Sequence, residues 1–165
     1  SSLRLPSWLL AASLIALYAA PLVLDAPLLD PDEGLHAAIA REMVERGDWV
    51  TPRFNGRPFL DKPVLFFWAE ACAIRVLGAN EIGVRLPGLL FGLLGALTAG
   101  VLARRAFGAH AARWTWLVAS SAAVPLAVAQ AAVHDVALVP WTTLALAGYL
   151  AGAATYLLQP LVLAP

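Results

Sequence analysis

Four stretches of this sequence contain no Asp, Glu, Lys or Arg: Leu5–Leu24, Leu86–Ala103, Trp114–Val133 and Val136–Leu158. Crossing about 30 Å of hydrocarbon takes about 20 helical residues, because lipid offers no partner to an unsatisfied backbone group. Each stretch is long enough, with its flanks, to be such a span. The rest of the composition fits. The chain is 61% hydrophobic and 13% charged, against about 25% charged in a soluble domain. A surface with half the usual charge cannot hydrate a globular core, so the bilayer is the solvent for most of the chain. The sequence predicts an all-α polytopic membrane protein, a single transmembrane domain over residues 1–165. The first stretch also resembles the apolar core of a signal peptide, but its length and the three spans after it favour an uncleaved helix.

The formal net charge is zero, yet 17 of the 22 charged residues fall between Asp25 and Arg85. Arg104, Arg105 and Arg113 flank the short turn Phe107–His110, and the positive-inside rule puts that turn in the cytoplasm. Residues 25–63 then form an outer loop. Returning from it to the arginine turn takes an odd number of crossings, and Leu86–Ala103 supplies one. The remaining apolar segment, Val64–Gly78, is short and carries Glu70 and Arg75. It is therefore expected to lie along the interface or to re-enter. The expected count is four spans and two interfacial helices. Gly88, Gly92, Gly95 and Gly100 in the second span read as helix packing. Pro125 and Pro140 read as interruptions of the third and fourth.

Within the outer loop, Asp32 and Glu33 make an acidic helix start beside the positive dipole end, and Gly47 makes a stop. Leu35, Ile39 and Met43 recur every four residues, while Arg41–Glu45 and Glu42–Arg46 are i,i+4 opposite-charge pairs. An amphipathic interfacial helix over 32–46 follows. Beyond it Pro52, Asn55-Gly56 and Pro58 signal turns up to Asp61-Lys62-Pro63, where apolar sequence resumes.

Acids thus abut the membrane boundary at three places: Asp30/Asp32/Glu33, Asp61 beside Lys62, and Asp135 next to His134. Each has a structural reading as a helix-start acid, a turn residue or a snorkelling anchor. Together they suit an anionic head group entering from lipid. A lysine binds phosphate as a point charge, and a carboxylate takes the proton of an incoming nucleophile. Asp61 with His36 or His134 offers oxygen and imidazole donors for a divalent metal, although no spacing is a metal signature. The single cysteine, Cys72, excludes an internal disulfide, and no basic tract suits nucleic acid.

The run DPDEGLHAAIAREMVERGDWVTPRFNGRPFLDKPVLFFW, followed by LGANEIGVRLPGLLFGLL, resembles the start of a large GT-C glycosyltransferase. Its likeness is to the protein O-mannosyltransferases, the lipid A aminoarabinose transferases and their bacterial relatives. The resemblance implies an inverting transfer of a sugar from a polyprenyl-phosphate donor to a lipid or protein acceptor, on the outer side of a bacterial inner membrane. It implies Asp32 as base or acceptor-orienting acid, Lys62 at the donor phosphate, and Glu33, Asp61 and Asp135 as supporting acids. It also implies a metal held through Asp61 in the aminoarabinose branch. Asp61 replaces the usual glutamate of that acid-lysine pair, and Leu35 and His36 stand where the aminoarabinose branch has arginine and tyrosine. Family members are several times longer, so the sequence reads as an amino-terminal portion. A non-catalytic membrane scaffold is the competing reading. A transporter fits less well, because its ionisable groups would sit mid-span.

Overall fold

A computed structural model describes residues 16–20, 22, 28, 32–122, 127, 129 and 134–162. Most of the first expected span lies outside the described residues, as does the second half of the third, including Pro125, apart from residues 127 and 129. Helix α1 (Asp32–Arg46) begins with its two acids and ends at Gly47, whose φ of +68° closes the helix in a conformation that costs glycine little. Its polar side carries both expected ion pairs, Arg41–Glu45 at 3.4 Å and Arg46–Glu42 at 2.7 Å.

Between α1 and the next helix the chain forms a two-residue hairpin, β1 (Arg53–Phe54) with β2 (Arg57–Pro58), in antiparallel register Arg53↔Pro58. Asn55 and Gly56 both adopt positive φ, as a tight hairpin turn with the strands' twist requires. Two contacts fasten this loop. The Asp48 carboxylate accepts from the Val50 and Thr51 amides, and Glu42 of α1 accepts from the Gly56 amide at 3.0 Å.

Helix α2 (Val64–Leu77) has 14 residues, about 21 Å at 1.5 Å per residue, which falls short of the hydrocarbon thickness. Gly78, with φ of +93°, ends it by donating to the Ile74 carbonyl. The helical run Glu81–Ser121 follows, opened by Asn80, whose side chain accepts from the Gly83 amide. Forty-one residues in one straight helix would span about 60 Å, twice the hydrocarbon core. The run is not straight. Gly108, at φ of +88° and ψ of −179°, divides it into α3 (81–107) and α4 (109–121). A Cβ placed on Gly100 would lie 3.5 Å from the Trp116 Cβ, whereas 16 residues along one helix would separate these positions by about 24 Å. The arms therefore fold back on each other, and the break falls inside the turn that the arginines mark.

A 3₁₀ turn, His134–Ala137, leads into α5 (Leu138–Val162). Pro140 sits in the first turn of α5, where its missing amide hydrogen had no partner to lose, so it starts this helix instead of interrupting it. Of the described helices, the run Glu81–Ser121 and the segment His134–Ala153 are long and apolar enough to cross a membrane.

The buried core lies where α1, α2, α3 and the 3₁₀ turn meet, around Ile39, Met43, Phe66, Phe67, Leu89 and Val136. The α3 glycines let neighbouring spans come close. A Cβ on Gly95 would stand 2.9 Å from the Val139 Cγ1 on α5. Gly95→Leu is therefore expected to force the two helices apart and cost roughly 1–3 kcal/mol as an overpacked contact. Denaturation in mixed detergent micelles would show this as an earlier unfolding midpoint.

Candidate active site

The apolar face of α1 is not uniformly apolar. Besides Ile39, Ala40 and Met43 it buries Glu33 and His36. Each of these inward polar groups has a partner from far along the chain.

Glu33 meets Arg85 of α3, 52 residues away. Arg85 Nε donates to one carboxylate oxygen at 3.2 Å and Nη2 to the other at 3.1 Å. Both side chains are almost completely buried, at 1% and 4% exposure. A two-pronged guanidinium–carboxylate contact is the geometry in which two buried charges can compensate each other. Its effect is to fix the head of α1 to the second span. Arg85 was not among the residues singled out from sequence. It stands four residues after Glu81 at the start of a span, where an arginine reads as an interfacial anchor.

His36 meets His134, 98 residues away, with the two Nδ1 atoms 3.3 Å apart. One ring must donate and the other accept, so at least one is neutral at that nitrogen. The ring centroids lie 4.1 Å apart, and Phe66 and Phe67 of α2 close the pair, with centroids 4.6 and 4.2 Å from the His134 ring. His134 Nε2 is buried without a hydrogen-bond partner. Three elements thus converge on one aromatic cluster, and the cluster brings α1 to the head of α5.

The exposed charged residues are arranged around this buried frame. Asp32 is exposed in the first turn of α1, four residues before His36 and on the same side of the helix. Asp135 is exposed on the 3₁₀ turn beside His134. Asp61 and Lys62 are exposed just ahead of α2, and the Lys62 charge reaches the His134 ring. Glu33 differs from the other acids, since its carboxylate is turned inward and held by Arg85. The described residues hold no group of three His, Cys, Asp or Glu side chains arranged to share an ion. Among the described residues, Asp61 therefore belongs to no three-ligand set of the kind that the metal implied by the resemblance would take.

With this geometry established, similarity to known proteins is informative. The profile of the dolichyl-phosphate-mannose-protein mannosyltransferases matches residues 61–164. The chain belongs to this family. An undecaprenyl phosphate-alpha-4-amino-4-deoxy-L-arabinose arabinosyl transferase of Edwardsiella ictaluri is 31% identical over 150 residues, 90% of the chain and 27% of the relative. The protein of that name from Pseudomonas paraeruginosa is 41% identical over 75 residues, 46% of the chain and 14% of the relative. Among solved structures, ArnT from Cupriavidus metallidurans superposes with a TM-score of 0.79 at 34% identity, covering 86% of the chain and 26% of ArnT. It has been solved in the apo state and bound to undecaprenyl phosphate. The chain thus spans about a quarter of the length of the relatives that cover it most fully. The family and the mostly helical fold agree with the expectation from sequence.

Proposed function

We propose that the protein carrying this chain transfers a sugar from a polyprenyl-phosphate donor to a lipid or protein acceptor at the outer face of the membrane. The observation that carries this reading is the likeness, over 86% of the chain, to a protein solved with undecaprenyl phosphate bound. The surroundings of the histidine pair support it, because Asp32 and Asp135 stand on, and Lys62 just ahead of, the three elements that the pair and its two phenylalanines join.

In the proposed reaction, the Asp32 carboxylate takes the proton of an acceptor hydroxyl as that oxygen attacks the anomeric carbon of the donor sugar. The bond between that carbon and the phosphate oxygen breaks, and the electron pair leaves with the polyprenyl phosphate. Lys62 offsets the charge that gathers on the departing phosphate. A single displacement of this kind inverts the anomeric centre. Asp61 and Asp135 line the polar side, orienting acceptor and lysine. The buried Glu33–Arg85 and His36–His134 contacts hold the loop rigid under the reacting groups, as a site that must keep its geometry requires.

Binding of a photoreactive polyprenyl phosphate tests the donor assignment. Lys62→Ala is expected to weaken crosslinking at least tenfold, the loss of one charge-assisted contact to phosphate, with membrane insertion unchanged. Undiminished crosslinking in Lys62→Ala would favour the scaffold reading, in which this lysine is only an interfacial anchor.

A further inference from the structure

Glu70 has no part in the chemistry above. It lies on α2, one turn beyond Phe66 and Phe67, and its side chain is fully enclosed at 0% exposure. Neither carboxyl oxygen has a hydrogen-bond partner. The elements packed against α2 are α1, α3 and the 3₁₀ turn. The buried titratable and charged groups they bring to this core are Glu33 and His36 from α1, Arg85 from α3 and His134 from the turn. Among these, the charge of Glu33 acts on Glu70. Glu33 is already matched by Arg85, so one guanidinium stands beside two acids. Among the described residues, an ionised Glu70 would have neither a donor nor an uncommitted counter-charge, and an isolated buried carboxylate costs several kcal/mol. Burial first, and the Glu33 charge second, hold the Glu70 carboxyl well above the usual glutamate range.

We propose that Glu70 is a positioning residue that, as a neutral acid, keeps α1 seated on α2 and so fixes Asp32 at the head of α1. The part concerning Asp32 rests on the transferase reading, while the part concerning α1 stands without it. Ionising Glu70 sets a second negative charge against Glu33 in a space closed to water. The way to relieve it is for α1 to lift and let water in. The link is energetic as well as spatial, because the same α1 turn that carries Glu33 carries Asp32.

The sign of the pH dependence follows from the direction of the shift. The seated carboxyl holds its proton more tightly than the unseated one, so seating is strongest where both forms are protonated. It weakens as pH rises above the ordinary glutamate value, near 4.3, by about tenfold in the seating constant per pH unit, until the seated Glu70 itself ionises.

Amide hydrogen exchange of α1 in the membrane-reconstituted protein tests this, corrected for the intrinsic pH dependence of exchange. The wild type is expected to lose protection across α1 by about tenfold per pH unit over that window. Glu70→Gln, neutral at every pH and nearly the same shape, is expected to remove that slope. Equal slopes in the two proteins would overturn the proposal. Infrared spectroscopy gives a second check that needs no variant to fold. The wild type should show a protonated-carboxyl stretch that persists above the ordinary glutamate range and disappears as pH is raised further, and its absence there would refute the neutral acid. In a transfer-competent protein, Glu70→Gln should also remove the fall in kcat with rising pH over that window while leaving the donor KM unchanged. The exchange and infrared results would survive a failure of the transferase reading, so the two can be told apart.

Discussion

Arg85→Met is expected to cost about 3–5 kcal/mol of stability, as breaking a buried ion pair by removing one partner does. The reason is the partner left behind. Glu33 is buried beneath the first turn of α1, and removing the guanidinium takes away its two-pronged counter-charge. Glu70 lies within reach of that charge and cannot help, since a second acid makes the surplus worse. The uncompensated carboxylate must then take up a proton or draw α1 off the second span. Either response loosens the seating of α1. Thermal unfolding in detergent, followed by helix ellipticity, would register the loss as a lowered Tm. The pair itself is a different matter from its broken half. Replacing both partners, as Glu33→Leu with Arg85→Met, is expected to recover most of the stability, because well-packed apolar side chains often match a buried ion pair. If the double substitution were as unstable as the single one, the contact would be contributing more than mutual compensation of charge.

Much of the helical layout was legible from sequence because the relevant forces are local. The acids at Asp32 and Glu33, the four-residue apolar recurrence and Gly47 suffice to define α1. The bounds of α2 were likewise legible, from Pro63 before it and Gly78 after it. The α3–α4 turn was marked by its arginines, and the glycine that breaks the helix lies within it. Pro140 is a case where the local signal was ambiguous. A proline within an apolar run reads as an interruption until the helix start is located two residues before it, at Leu138.

The buried polar contacts were illegible for the opposite reason. Glu33 finds Arg85 across 52 residues and His36 finds His134 across 98. Nothing in the spacing of either pair marks it, since each depends on how three helices are stacked. Glu33 in particular had an adequate local account as a helix-start acid, which concealed its inward role. The single available clue was charge scarcity: a chain with 11 acids and 11 basic residues, nearly all in one window, leaves few ways to neutralise a buried charge. Glu70 was noticed only as a charge that weighs against a span, and its burial depends on how α1 and α3 pack on α2.

Asp32→Asn separates the chemistry of the site from its architecture. Asp32 has a sufficient structural purpose, as a carboxylate beside the exposed amides of the first turn of α1. Such an interaction is worth about 0.3–1 kcal/mol when exposed. Asparagine keeps the shape and most of the hydrogen-bonding capacity of that position, so the helix should lose at most this small amount. A general base is far less tolerant, because an amide cannot take a proton from the acceptor hydroxyl. Loss of that role is expected to lower kcat for sugar transfer by about 10²–10⁴-fold in the complete protein. Donor crosslinking, which depends on Lys62, should be preserved. Asp32→Glu should fall between the two, since the base is retained but displaced by one methylene on a loop whose buried contacts hold it still. The combination of near-native stability, intact donor binding and abolished transfer would place Asp32 at the reacting atoms. Transfer at close to the wild-type rate would instead leave it as a helix-start residue, and the base would then have to be sought at Asp135, the other exposed acid next to the histidine pair.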